Sequence, residues 1–183
     1  MDAVVIVVDI GAFTTIAMVP RSAPMPLLDV EQLIRSIIHK CGGRLAATAG
    51  DSIFAVFPAN ADSFATDAID TACEIEAGIG ELQQRAATSG MDSSVTTYIG
   101  VATGEVYEGP LGPPDAPIAA FFGPALTIAK LLARECRSRR VRVLVCKRTA
   151  DAATNRYDAR APISLTTESG AVVHACEPVL RSG

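Results

Sequence analysis

A run of five β-branched residues near the N-terminus, Val4 to Val8, constrains the fold more than any other feature of the sequence. β-Branched side chains favour strands, and an apolar run without alternation is typical of a strand that is covered on both faces. The run stops at a charged residue, Asp9. We therefore expect a fully buried strand with a carboxylate at its end.

The remaining sequence alternates between helical and strand patterns. Asp51 lies between two short strand-like runs, which predicts a hairpin with a carboxylate at its tip. Thr103-Gly104 and Gly170 predict two further hairpin turns. In chain order, the predicted elements after the first strand are a short helix within 11–19 capped by Thr14, a helix over 28–38, strands at 44–48 and 52–57, a helix over 62–87, strands at 95–101 and 105–107, a helix over 124–135, a strand over 141–146, a helical turn at 149–153 and a hairpin over 163–176.

This order of elements predicts the fold class. Strands, helices and hairpins in this succession are typical of an α+β fold with helices against a mostly antiparallel sheet, and a ferredoxin-like core fits best. A chain of 183 residues has the length of one domain, and we expect residues 1–183 to form it.

Composition and charge bear on several function classes. Hydrophobic residues make up 49% of the chain and charged residues 20%, as in a well-packed globular protein. The net charge of -4 gives no general attraction to nucleic acid. The apolar start is too short for a membrane-spanning segment and lacks the basic flank of a signal peptide. The five cysteines form no C-x-x-C pair, so we expect reduced thiols in a cytoplasmic protein. From the net charge and the short apolar start, we expect no nucleic-acid partner and no membrane segment.

Asp9 and Asp51 are the candidate metal ligands. Each is predicted at the end of a strand-forming segment of a sheet. Mg²⁺ is usually held by one or two carboxylates together with substrate phosphate oxygens. On this pattern alone, a metal site and ordinary polar strand ends are equally good interpretations.

Three blocks of sequence carry a resemblance to a known family. Residues 7–14 read Val-Val-Asp-Ile-Gly-Ala-Phe-Thr, and residues 42–57 contain Gly-Gly, Gly-Asp and Ala-Val-Phe. The third block joins Ile-Gly-Val-Ala-Thr-Gly-Glu-Val at 99–106 to Phe-Phe-Gly-Pro-Ala-Leu at 121–126. In order and spacing, these blocks resemble the catalytic domain of the class III adenylate and guanylate cyclases over most of residues 4–150.

The resemblance implies a cyclase homology domain, which in active members forms a 3′,5′-cyclic nucleotide and pyrophosphate from a nucleoside triphosphate. It implies two Mg²⁺ or Mn²⁺ ions held by Asp9, Ile10 and Asp51. It also implies that phosphate oxygens are bound by backbone amides near Phe13 and Thr14. Active members are homodimers or heterodimers with catalytic sites at the interface, so the expected partners are a nucleoside triphosphate and a second cyclase-like chain.

Several catalytic positions depart from the family pattern. Ala47 and Ala120 stand where active adenylate cyclases carry the lysine and the acid that recognise the base, and a methyl group neither donates nor accepts a hydrogen bond. Thr127 and Leu131 stand at the catalytic positions where the family has its transition-state asparagine and arginine. Lys130 is adjacent to Leu131, but neighbouring positions point about 100° apart around a helix, so we expect a solvated lysine.

The losses are one-sided. In the family's composite site the metal aspartates come from one protomer and the substituted positions from the other, so this chain keeps one set and lacks the other. Three hypotheses follow: a degenerate cyclase domain that is catalytically impaired alone, the metal-donating half of a heterodimeric cyclase, or a homodimeric cyclase with a non-adenine base preference. Proline-rich residues 18–28 replace part of a longer helix that contributes to the family's dimer, so the dimer geometry stays open.

Positive charge is concentrated late in the chain. The residues concerned are Arg134, Arg137, Arg139, Arg140, Arg142, Lys147 and Arg148. Cations at a helix C-terminus complement the helix dipole and solvate a loop. We favour this interpretation over binding of phosphate or nucleic acid, because no aromatic residue interleaves the run.

Overall fold

The computed structural model describes residues 1–11, 27–49, 51–59, 62–89, 95–113, 115 and 118–181. Nine strands and four helices lie in these ranges. In chain order they are β1 (Asp2–Gly11), α1 (Leu27–Lys40), β2 (Arg44–Ala49), β3 (Ser52–Pro58), α2 (Phe64–Thr88), β4 (Thr96–Glu105), β5 (Tyr107–Leu111), β6 (Ile118–Phe122), α3 (Pro124–Arg139), β7 (Val143–Cys146), α4 (Lys147–Ala152), β8 (Tyr157–Thr166) and β9 (Val172–Leu180).

Seven of the strands form one sheet in the order β2-β3-β1-β4-β7-β9-β8, and β5 pairs with β6 in a separate two-stranded sheet. Neighbours in the large sheet are antiparallel except β4 and β7, which are parallel. The first four strands with α1 and α2 have the β-α-β-β-α-β order of a ferredoxin-like unit. The predicted α+β fold with a mostly antiparallel sheet is therefore confirmed.

Strand β1 lies in the middle of this unit, between β3 and β4, and is buried on both faces as its sequence predicts. Val4, Ile6 and Val8 pack in a core cluster with residues of α1 and α2. Val5 and Val7 pack on the opposite face with residues of α3. Each of these five side chains is at most 1% exposed, and burial of a Val or Ile side chain contributes about 1.5–3 kcal/mol.

The predicted hairpin turn at Thr103-Gly104 is wrong, because β4 continues through both residues. β4 pairs with β1 along its whole length, and Gly104 lies opposite Ala3 in that ladder. An added Cβ on Gly104 would lie 3.5 Å from the Cβ of Ala125, in the first turn of α3. This is an ordinary van der Waals distance, so neither a turn nor close packing requires a glycine at this position, and the hairpin that follows is β5–β6.

The other two predicted hairpins are present. β2 and β3 flank Asp51, and Ala49 pairs with Ser52 across the turn. β8 and β9 are joined by a turn in which Gly170 has φ of +84°, a value that glycine adopts without strain. The predicted short helix within 11–19 and most of the proline-rich segment 18–28 lie outside the described residues.

All five cysteines are free, and Cys136, Cys146 and Cys176 are buried. Burial raises the pKa of the Cys136 thiol to about 12, so this group stays protonated at neutral pH. Among the described helices, none combines the length and apolar character that crossing a membrane would need.

Gly100 sets how closely α3 approaches the sheet, and its substitution should destabilise the fold. A Cβ at this position would lie 2.0 Å from the Ala129 carbonyl oxygen and 2.6 Å from the Ala133 amide nitrogen, both backbone atoms of α3. We expect Gly100→Ala to lower the free energy of unfolding in urea by at least about 2 kcal/mol. Gly80→Ala is the matched control, because a Cβ there meets nothing within 4 Å and alanine should stabilise α2 by about 0.5–1 kcal/mol. Equal effects of the two substitutions would contradict this account of Gly100.

Candidate metal and nucleotide site

The sheet brings Asp9 and Asp51 together. Asp9 is near the end of β1 and is paired with Ser52, the first residue of β3. Asp51 directly precedes Ser52, and its backbone carbonyl accepts a hydrogen bond of 2.8 Å from the amide of Ile10. The two carboxylates are close enough for Asp51 to raise the pKa of Asp9. The buried strand and the hairpin tip thus meet at one end of the sheet, as their patterns predict.

Asp9 also contacts Arg137, a residue that the sequence does not identify as part of this site. The Nη2 group of Arg137, in the last turn of α3, donates to Oδ1 of Asp9 at 3.0 Å. The Asp9 side chain is 17% exposed and that of Arg137 is 48% exposed. Burial raises the pKa of the Asp9 carboxyl above its ordinary value, Arg137 lowers it and Asp51 raises it, and burial is the largest of the three effects.

Tyr98 completes the surroundings of the Arg137 guanidinium. Tyr98 lies opposite Asp9 in the β1–β4 ladder, so both side chains point to the sheet face that α3 covers. The centre of the guanidinium is 5.3 Å from the Tyr98 ring centroid, within the range of a cation–π contact. Arg142 approaches the same ring at 5.9 Å. Arg137 is therefore held between a carboxylate and an aromatic ring.

Other members of the late cationic run pair with carboxylates elsewhere. Arg139 pairs with Glu135, Arg142 approaches Glu76 at 4.0 Å, Lys147 pairs with Asp151 and Arg148 with Asp2. These exposed pairs agree with the interpretation of the run as a solvated helix end and loop. Arg137 is the departure from it, since its partner is a candidate metal ligand.

The carboxylate pair fits a hard divalent cation. Both side chains offer oxygen ligands, and each is partly exposed. Among the described residues, no three histidine, cysteine or acidic side chains are grouped to hold a metal ion. Two carboxylates are the number by which Mg²⁺ is commonly held, with water and phosphate oxygens completing its coordination. The site thus suits an ion that arrives together with a phosphate ligand.

The substituted positions on α3 line a separate cleft of about 580 Å³. Its walls are Thr127, Lys130, Leu131 and Arg134 of α3 and residues 167–169 of the β8–β9 turn. Leu131 is half-buried and packs against the core on that face of the sheet. Lys130 is exposed, as expected of a solvated lysine, and it also lines the cleft beside Leu131, with its amino group 5.2 Å from the Phe54 ring centroid.

Thr127 and the carboxylate pair do not belong to one site within this chain. Thr127 precedes Arg137 by ten residues, which is about 15 Å along a helix. Since Arg137 is the α3 residue that reaches Asp9, Thr127 lies well away from it. The predicted metal-binding and transition-state positions are therefore on different parts of the surface.

The predicted nucleotide-binding positions are distributed over several elements. Ala47 is in β2, where its backbone is paired with Phe54 of β3. Ala120 is in β6, opposite Gly109, and is half-buried. Phe13 and Thr14 lie outside the described residues.

Comparison with solved structures shows close similarity of fold. The adenylyl cyclase CyaB from P. aeruginosa superimposes with a TM-score of 0.81 at 18% identity, covering 99% of this chain and 95% of that one. The guanylate cyclase domain of RhGC from Catenaria anguillulae, in complex with GTP, gives 0.74 at 19% identity, with 99% and 97% covered. The non-canonical dimeric guanylyl cyclase domain of the RhoGC fusion protein from Blastocladiella emersonii gives 0.69 at 19% identity, with the same coverage.

The chain has the class III nucleotide cyclase fold. The resemblance seen in the sequence blocks is thus confirmed at the level of the fold. No family model matches the sequence, and no curated protein matches it by sequence. At 18–19% identity, the likeness to solved cyclases establishes the fold.

The raised pKa of Asp9 predicts that ionisation of this carboxyl lowers the free energy of unfolding. Because the native-state pKa lies above the unfolded-state value of about 3.9, the native state binds the Asp9 proton more tightly than the unfolded state does. The contribution of Asp9 to stability is therefore greatest below the unfolded-state pKa of about 3.9 and declines as the pH rises through the native-state pKa. We expect Asp9→Asn, which resembles the neutral acid, to be more stable than the wild type at pH 7.

Urea unfolding of both proteins at pH 4 and pH 7 tests this expectation. The stability gain of Asp9→Asn should be larger at pH 7 than at pH 4, and a gain of about 1 kcal/mol would raise the Tm by 2–4 °C. Asp151→Asn is a useful control, because Asp151 is an exposed acid in an ion pair with Lys147. A gain that is the same at both pH values would contradict the proposed desolvation of Asp9.

Proposed function

We propose that this chain is a cyclase-fold domain that binds a divalent cation and the phosphates of a nucleoside triphosphate at Asp9 and Asp51, and that it is catalytically impaired alone. One observation carries the proposal. The two carboxylates converge at the end of β1, whereas the position of the transition-state arginine is occupied by Leu131, a half-buried apolar side chain.

Asp9 and Asp51 would hold the ion, with Ile10 beside them. A bound divalent cation lowers the pKa of a ribose hydroxyl and neutralises charge on a pyrophosphate leaving group. The residues of this chain contribute two negative oxygen ligands, and the hydrogen bond from Ile10 to Asp51 keeps the hairpin tip beside β1. By resemblance to the family, backbone amides near Phe13 and Thr14 would bind phosphate oxygens.

The impairment follows from the side chains at four positions. Leu131 cannot neutralise charge on a transferring phosphoryl group, and loss of one such preorganised group costs about 3 kcal/mol, or roughly 10²–10³ in kcat. Ala47 and Ala120 cannot hydrogen-bond the edge of a purine. Thr127 is exposed and retains a hydroxyl, but it is shorter than the asparagine that it replaces.

A second candidate function is the metal-donating half of a heterodimeric cyclase. The observation that favours it is the separation within the chain between the carboxylate pair and Thr127, about 15 Å along α3 up to Arg137. A site that needs both sets of residues must then take one of them from a second chain. The structure from Blastocladiella emersonii, described as a dimeric cyclase domain, shows that this fold can pair with itself in that protein.

Restoring the family residues should create activity if the fold and metal site are competent. With Mn²⁺ and ATP, we expect the wild type to form no cyclic product above background. We expect the fourfold variant Ala47→Lys, Ala120→Asp, Thr127→Asn and Leu131→Arg to exceed the wild type by at least about 10²-fold, the effect of one catalytic group. Cyclic nucleotide is measured by chromatography with each of the four nucleoside triphosphates.

Two controls make this test decisive. Adding Asp9→Ala to the fourfold variant should abolish product, and thermal unfolding should show that Leu131→Arg leaves the protein folded. A wild-type chain that forms cyclic product from any nucleotide, and loses this activity on Asp9→Ala, would show that it is a cyclase by itself and refute the proposed impairment.

Mixing the wild type with a variant that lacks both aspartates tests whether the site is shared between chains. The wild type supplies the aspartates only, and the fourfold variant carrying Asp9→Ala and Asp51→Ala supplies the restored positions only. We expect each to be inactive alone and the mixture to form cyclic product, because one composite site then receives both sets. If the mixture stays inactive while the fourfold variant is active, the heterodimer candidate is wrong.

A further inference from the structure

We infer that Arg137 is a tethered cation that occupies Asp9 in the metal-free protein and has to be displaced when a divalent cation binds, so that Arg137 sets the metal affinity of the site. The inference rests on the proposed metal site at Asp9 and Asp51. It adds Arg137, a residue of α3, to that site.

The geometry supports direct competition for one oxygen. Nη2 of Arg137 donates to Oδ1 of Asp9 at 3.0 Å. Among the described residues, Arg137 is the cation that pairs with Asp9, and none pairs with Asp51. An ion bound by both aspartates would place two positive charges beside the guanidinium, next to a carboxylate that is only 17% exposed, where charges repel more strongly than in bulk water. The ion and the guanidinium therefore cannot both retain their full interaction with Asp9.

The surroundings of Arg137 allow displacement without a change of fold. Arg137 is in the last turn of α3, and its side chain is 48% exposed, so it can rotate into solvent. The aromatic contact with Tyr98 holds it beside Asp9 when the ion is absent. The arginine thus forms an ion pair with the partly desolvated carboxylate until a divalent cation binds in its place.

Metal titration of the full chain tests the inference. Binding of Mn²⁺, without nucleotide, is measured at pH 7 by calorimetry for the wild type, Arg137→Gln, Arg142→Gln, Asp9→Asn and the double variant Asp9→Asn with Arg137→Gln. We expect Arg137→Gln to bind Mn²⁺ about 5- to 10-fold more tightly than the wild type, somewhat more than removal of an exposed ion pair gives. The double variant should lose this gain.

Arg142→Gln is the matched control. Arg142 contacts the same Tyr98 ring, at 5.9 Å, and its substitution removes the same charge from the same region. Its carboxylate neighbour is Glu76, at 4.0 Å, and not Asp9. We therefore expect Arg142→Gln to bind Mn²⁺ within about twofold of the wild type, since an exposed charge that is not paired with Asp9 is screened by solvent and has little effect.

The outcomes separate the inference from the proposed function. If Asp9→Asn abolishes binding but Arg137→Gln binds no more tightly than Arg142→Gln, Arg137 does not compete with the ion and only this inference is wrong. Weaker binding by Arg137→Gln also overturns it, because the arginine would then organise Asp9 for the ion. If no variant binds Mn²⁺, or if Asp9→Asn binds as the wild type does, the metal site fails and the proposed function fails with it.

A spectroscopic readout observes the displacement itself. In ¹H–¹⁵N spectra of arginine side chains, the Nε signal missing from Arg137→Gln identifies Arg137. Addition of diamagnetic Mg²⁺ should shift this signal in the wild type and leave it unchanged in Asp9→Asn. A signal that does not move in the wild type at saturating Mg²⁺ would contradict displacement.

Discussion

Burial of β1 on both faces is the constraint on which the rest of the structure depends. The strand is paired with β3 on one side and β4 on the other, while α1 and α2 cover one face and α3 the other. Asp9 is the one residue from Ala3 to Gly11 of this strand that is not fully buried. It is therefore partly desolvated, and the pairing of β1 with β3 brings the hairpin tip at Asp51 beside it.

The features that sequence predicts well here are those that local pattern determines. The unbroken apolar run identifies β1, and turn residues identify the hairpins at Asp51 and Gly170. The turn predicted at Thr103-Gly104 is wrong because a glycine does not by itself specify a turn, and long-range pairing with β1 carries β4 through both residues. Arg137 was missed for the same kind of reason: its partner Asp9 is 128 residues away, and their contact depends on where α3 crosses the sheet.

Helix α3 carries an apolar side chain at the position where, by resemblance to the family, active cyclases carry an arginine. Leu131 joins the core on this face of the sheet, and it thereby contributes apolar burial that a charged residue in an active cyclase would not. The helix still carries positive charge near this position, because Lys130 and Arg134 line the same cleft as Leu131. The helix therefore keeps a cationic surface but presents it from different positions than the family pattern requires.

The two ends of α3 differ in how they relate to the proposed site. Toward its N-terminus, Thr127 and Leu131 stand at the positions that the resemblance assigns to the transition state. At its C-terminus, Arg137 pairs with a carboxylate that the fold has partly desolvated. Arg137 thus offsets only part of the cost of desolvating Asp9, because the pKa of that carboxyl is raised even with the guanidinium beside it. If the proposed metal site and the proposed role of Arg137 hold, the response to a divalent cation would be an exchange of one cation for another at Asp9. Such an exchange would release a guanidinium beside the bound ion, where a phosphate group would be the natural acceptor.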